Sequence, residues 1–150
     1  LSLHFANSIW KNNMTEVMAQ DQTDKRYFDE LVDFANDIRM LALPVNKEKN
    51  GYLLNSMLVP FLDAAEALAA NGVGSVEDID RAWTISTGAP AGPFRILDIV
   101  GLTTAYNICL MDPRSKDPST TKGKVCAMLK EKIDRGETGV NAGKGFYDYA

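Results

Sequence analysis

LSLHFANSIWKNNMTEVM (residues 1–18) decides how this chain is to be read. Its opening alternates, with Leu1, Leu3 and Phe5 set against Ser2, His4 and Ala6, which is the period of a strand with one apolar face. That period sends the apolar set into a core and turns His4 away from it. Thr15 to Met18 forms a second short extended segment, and the turn-prone pair Asn12 and Asn13 lies in the loop between them. If the two segments pair antiparallel with Trp10 at the midpoint, His4 stands opposite Glu16. Directly opposed residues have Cβ atoms about 4.5 to 5.5 Å apart, close enough for an imidazole and a carboxylate to hydrogen-bond. His4 is the one histidine in 150 residues. An imidazole is suited to moving protons near neutral pH, and a carboxylate on its other ring nitrogen fixes the tautomer and stabilises the imidazolium. On spacing alone, a lone histidine is more often a structural hydrogen-bonder, and Glu16 a solvated strand residue.

Beyond this pair, Thr23 and Asp24 open a helix to about Met40, because Phe28, Leu31, Ala35 and Ile38 recur at helical spacing while Asp29, Glu30 and Asp33 take the wet side. LALPV follows as a strand. Strand, helix and strand in this order suggest the tail end of an α/β sheet, with too few strands for a complete one. Together with an opening that has no initiator Met, this leads us to expect a piece of a longer protein. The polar run NKEKN, Asn46 to Asn50, marks a boundary. Residues 1–48 are expected to be an α/β remnant, and residues 49–150 purely helical, so the fold is mainly α.

In the second part a helix from about Gly51 to Ala70 is apolar on nearly all sides, which predicts burial by several neighbours, and Pro60 should kink it. Ser75 with Asp78 resembles a capping box for a helix to about Ser86, stopped by Gly88. Pro93 suits the first position of a helix through FRILDIV to Gly101. Further helices run from Thr103 to Met111 and, after the loop DPRSKDPS, to about Arg135 with Gly136 as the stop. The tail GVNAGKGFYDY reads as irregular, anchored by Phe146 and Tyr147. Asp98 reads as a residue that holds a helix terminus or a loop.

Composition narrows the function classes. With 45% hydrophobic and 24% charged residues the chain can build a core, and a net charge of −4 without a basic stripe argues against nucleic acid. Apolar runs such as YLLNSMLVPFL break well short of the roughly 20 residues of a membrane span. Cys109 and Cys126 have no CxxC spacing and no flanking histidine, so they read as core-filling residues of a reducing cytoplasm, with neither a disulfide framework nor a metal site. Asn55 interrupts an apolar helix, where a buried amide needs partners: a bound ligand could be one, neighbouring backbone another. Neither G-x-G-x-x-G nor a Walker spacing occurs, and GKGFYDY lacks the strand and helix of a phosphate loop.

Five ordered blocks, LHFAN with Glu16 twelve residues after His4, GYLLNSMLVPFLDAAEAL, VEDIDRAW, GAPAGPFRILDIVGL and GKGFYDY, resemble the 3-hydroxyacyl-CoA dehydrogenase family over essentially the whole chain. The resemblance is strongest to 3-hydroxybutyryl-CoA-type members. It implies that residues 1–48 are the last part of a Rossmann-type NAD-binding domain, and that 49–150 are the family's helical domain for substrate binding and dimerisation. By the same resemblance, His4 is the catalytic histidine and Glu16 its carboxylate partner. Asn55 holds the substrate oxygen or the imidazole, and Asn7 with Asn55 contacts substrate. NAD is the implied cofactor, NADP a possible substitute, and an acyl-CoA the substrate. A homodimer without membrane or nucleic-acid partners is expected. Two positions depart from the family's HFFNP: Ala6 opens space beside His4 and Ser8 removes a stiffening proline. The family's glycine-rich nucleotide loop and active-site serine have no counterpart here, so this chain alone is expected to be inactive. The rivals are a non-catalytic helical dimerisation module and a related dehydrogenase of a non-CoA hydroxy acid.

Overall fold

β1 (Ser2–Phe5) and β2 (Met14–Met18) pair antiparallel with His4 opposite Glu16, the register conjectured for a hairpin centred on Trp10. The structure is a computed structural model that describes residues 1–149. From β2 the chain passes through α1 (Lys25–Asp37) to β3 (Leu41–Val45), which lies parallel to β2, so the sheet order is β1-β2-β3. Asp24 caps α1 by accepting the Arg26 N–H at 2.8 Å. The central strand carries the core of this part: Thr15, Glu16 and Val17 are completely buried.

The inward face expected for β1 is only partly sealed. Leu1 and Phe5 keep 47% and 39% exposure. Among the described residues β1 pairs with β2 alone, at the edge of the sheet.

The chain forms two compact units, Leu1–Val59 and Pro60–Ala150. α2 (Leu54–Ala70) begins in the first and ends in the second. The remaining helices belong to the second unit: α3 (Val76–Thr87), α4 (Pro93–Val100), α5 (Leu102–Leu110) and α6 (Thr121–Asp134), with short 3-10 turns at Pro113–Lys116 and Val140–Ala142. The caps follow residue type. Ser75 accepts the Asp78 N–H at 3.1 Å, Gly88 ends α3 in the left-handed conformation, and Pro93 opens α4. Phe94, Leu97, Leu102, Val125 and Leu129 are the fully buried core of this unit.

Two expectations need correction. α2 is not enclosed on all sides: its buried residues are Leu62, Ala65 and Glu66, while Met57 is 67% exposed and Leu53 and Leu68 are also exposed. The helix carries more apolar surface than the described residues cover. Cys109 and Cys126 are not separate core-fillers but a disulfide between α5 and α6, with Cα atoms 6.0 Å apart. The segment between these helices folds back and brings the two positions into bridging range, which a separation of 17 residues in sequence does not reveal. The ground for inferring a reducing compartment is thereby removed. Among the described residues no helix is long and apolar enough to cross a membrane.

Candidate active site

Glu16 is the hub of the first unit. Its side chain sits on the middle strand with no solvent exposure, and each carboxylate oxygen has a distinct task. Oε2 lies 2.8 Å from His4 Nδ1. Oε1 accepts the backbone N–H groups of Leu53 at 2.8 Å and Leu54 at 2.9 Å. These are free donors at the start of α2, where the aligned peptide dipoles also favour negative charge. The expected solvated strand residue is thus a buried acceptor held by three N–H groups. Since a carboxylate only accepts, Nδ1 of His4 carries the hydrogen, and the lone pair of the neutral ring is on Nε2.

His4 is placed by several restraints. The strand register brings it opposite Glu16, and its own carbonyl accepts the Thr15 hydroxyl at 2.9 Å. The ring lies flat against Tyr52, with centroids 4.4 Å apart and planes 8° apart. The side chain keeps 28% exposure, so the imidazole is reachable from solvent while its partner carboxylate is not. An imidazole so held can accept a proton at Nε2 while Glu16 offsets the charge that develops.

The two asparagines stand differently. Asn55 lies in the first turn of α2, immediately after the amides that bind Glu16, and is partly buried. Its side-chain amide makes no hydrogen bond among the described residues. Asn7 is exposed in the loop after β1; its carbonyl accepts from Asn12 Nδ2 at 3.0 Å, and its side chain bonds to neither His4 nor Glu16.

The C-terminal portion of the chain, residues 51–149, matches the family model described as 3-hydroxyacyl-CoA dehydrogenase, C-terminal domain. The chain belongs to the 3-hydroxyacyl-CoA dehydrogenase family. A probable 3-hydroxyacyl-CoA dehydrogenase of Caenorhabditis elegans is 33% identical over 98% of this chain and 47% of its own length. A 3-hydroxybutyryl-CoA dehydrogenase of Clostridioides difficile is 28% identical over 99% of this chain and 52% of its own. Among solved structures, a diketoreductase described as acting on dicarbonyl compounds superposes with a TM-score of 0.89 at 49% identity, over 98% of this chain and 50% of that one. This chain therefore spans about half the length of the curated relatives that it matches.

Within this family setting the departure at Ser8 acquires a physical meaning. Ser8 has φ +57°, and its carbonyl accepts from Lys11 N at 2.8 Å and Asn12 N at 3.0 Å. Proline, fixed near φ −65°, cannot adopt that conformation, so this loop is built on a serine.

Residue spacing did not reveal several structural carboxylates in the second unit. Asp80 accepts Phe94 N at 2.8 Å, Arg95 N at 3.2 Å and the Tyr147 hydroxyl at 3.0 Å, joining α3, the start of α4 and the tail. Asp98 holds a loop, as expected, by accepting Phe146 N at 2.8 Å, Tyr147 N at 3.0 Å and the Tyr149 hydroxyl at 2.8 Å. Gly145 passes so close to Asp98 that a side chain there would collide with the carboxylate. Burial and these carboxylates push the Tyr147 and Tyr149 phenols far above their ordinary range. On α2, burial pushes Glu66 up to about 7, only partly opposed by Lys122, and Asp63 adds to the rise. Its Oε1 has no hydrogen-bond partner among the described residues.

Proposed function

We propose that this chain supplies the proton-transfer residues and the helical portion of an NAD-dependent 3-hydroxyacyl-CoA dehydrogenase, which oxidises a short-chain 3-hydroxyacyl-CoA to the 3-ketoacyl-CoA. The observation that carries this is the buried Glu16, clamped by the start of α2 and bonded to an imidazole whose other nitrogen is free. In the oxidation His4 Nε2 takes the proton of the 3-hydroxyl, and in the reverse direction the imidazolium returns it to the forming alkoxide. Glu16 orients the ring and balances its charge. Asn55, with an unused amide one residue from the clamp, is the proposed partner of the substrate oxygen, and Asn7 the outer substrate contact.

NAD supplies the hydride acceptor that this reaction class requires. The residues of this chain do not fit its cradle: the connection from β2 to α1, Ala19 to Asp24, contains no glycine, and no strand of the described residues runs into a glycine-rich turn. No step is drawn through it, and the chain by itself is proposed to be inactive. Residues 1–48 are proposed as the end of the nucleotide domain and 49–150 as the domain for acyl-CoA and for pairing of two copies. The exposed Leu68, Val73, Trp83 and Ile85 on and between α2 and α3 support that pairing.

A second reading is favoured by the likeness to the diketoreductase: a reductase of free dicarbonyl compounds with the same proton relay. The test is NADH oxidation by the full-length protein carrying this chain, with acetoacetyl-CoA and with a free diketo ester, and with His4→Gln. Preference for the thioester together with a loss of 100-fold or more in the variant supports the proposal. Preference for the free ester selects the second reading, and normal turnover by His4→Gln removes both.

A further inference from the structure

We infer that Tyr52 is a positioning residue whose ring face fixes the plane of the His4 imidazole; this rests on the proton-transfer reading of His4 and deepens it. The bond from Nδ1 to Glu16 Oε2 holds one edge of the tethered ring but tolerates a bend at the acceptor, so the ring plane can still tilt. A parallel ring 4.4 Å away, with planes 8° apart, limits that tilt and leaves both nitrogens accessible in the plane, one to Glu16 and one to substrate. An electron-rich phenol face also suits a cation, so the stack strengthens when His4 carries the proton.

The backbone is bent to deliver this ring. Gly51 and Tyr52 are both left-handed, at φ +86° and +52°, a conformation that a residue with a side chain adopts only at a cost. The Tyr52 N–H donates to Lys49 O at 3.0 Å, closing the turn. The next two residues, Leu53 and Leu54, are those whose N–H groups meet Glu16. One turn therefore sets both members of the pair: its ring goes to the imidazole and its following amides go to the carboxylate. The Tyr52 hydroxyl makes no hydrogen bond among the described residues, so the working part is the face of the ring.

The test uses the full-length protein carrying this chain, with 3-hydroxybutyryl-CoA as substrate. Tyr52→Phe, which keeps the face, is expected to stay within about twofold of the parent. Tyr52→Leu and Tyr52→Asn are expected to lower kcat by about five- to tenfold, with KM changed by less than about twofold. Asn tolerates the left-handed backbone, so a loss shared with Leu belongs to the ring. In a His4→Gln background Tyr52→Leu is expected to cost nothing further, because Tyr52 acts only through His4. In the chain itself, the ring protons of its sole histidine should resonate upfield in the parent and in Tyr52→Phe, and shift back in Tyr52→Leu. Parent-like kinetics of Leu and Asn, an undiminished loss in the His4→Gln background, or unshifted ring protons in the parent would each overturn the inference. Normal turnover by His4→Gln would remove the reading beneath it, whereas the proton shifts report the stack independently of turnover.

Discussion

Replacing Glu16 separates its two tasks. In Glu16→Gln the side chain keeps its volume, and one oxygen remains to accept from Leu53 and Leu54, at the positions now 2.8 and 2.9 Å away. The new amide NH2 then faces His4 Nδ1 and demands an acceptor there, so the imidazole switches tautomer and Nε2 carries the hydrogen. A protonated Nε2 cannot take the substrate proton. The expected loss in kcat is about 100- to 10,000-fold, the range of general acid-base catalysis, while the stability loss stays near 1–2 kcal/mol for one exchanged charge-assisted bond. Glu16→Ala removes all three acceptor contacts in a site without solvent. Leaving the Leu53 and Leu54 N–H groups unpaired there costs about 2–6 kcal/mol, while the partly exposed imidazole can turn to solvent. The assay is urea unfolding of both variants, together with amide hydrogen exchange at Leu53 and Leu54. Exchange should be nearly unchanged in Gln and much faster in Ala. An alanine variant within about 1 kcal/mol of the parent, or equal exchange in both variants, would refute the clamp.

Further consequences concern the loop, a buried carboxylate and the disulfide. Ser8→Pro, which restores the family's residue, should destabilise the first unit by about 1–3 kcal/mol, because φ +57° is closed to proline; urea midpoints measure it. Glu66 releases its proton near 4.5 when unfolded and only near 7 when folded, so between those values the unfolded state binds fewer protons. Stability therefore falls as pH rises from about 4.5 through 7, by about 3 kcal/mol in total, and Glu66→Gln should flatten that slope in urea midpoints at pH 5 and 8. Reducing the Cys109–Cys126 bond, which closes a loop of 17 residues, should lower stability by about 3 kcal/mol, read as the difference in melting with and without reductant. Cys126→Ser should abolish that difference.

What could be read from the residues was mostly local. Alternation and a twelve-residue spacing allowed His4 to stand against Glu16 only on the supposition of a hairpin centred on Trp10, and it is the observed pairing that supplies the register. Asp24, Ser75, Gly88 and Pro93 announced helix ends because each satisfies or omits a particular backbone group. The partners of Glu16 on the other side were not legible: Leu53 and Leu54 act through N–H groups that every residue but proline carries, 37 and 38 positions away. The same holds for Asp80 and Asp98, whose partners lie up to 67 residues along the chain. The apolar surface of α2 was visible, but hydrophobicity records only that a surface prefers cover and does not say what provides it. The departure at Ser8 was seen as lost stiffness, and only the backbone angle turned it into a requirement.

The most direct measurement is nitrogen-15 NMR of the His4 ring, titrated through neutral pH in the chain and in Glu16→Gln. A neutral imidazole with its hydrogen on Nδ1, switching to Nε2 in the variant, is the predicted result. A ring that carries its hydrogen on Nε2 in the parent, or that ignores the substitution, would contradict the pairing from which the proposed chemistry is built.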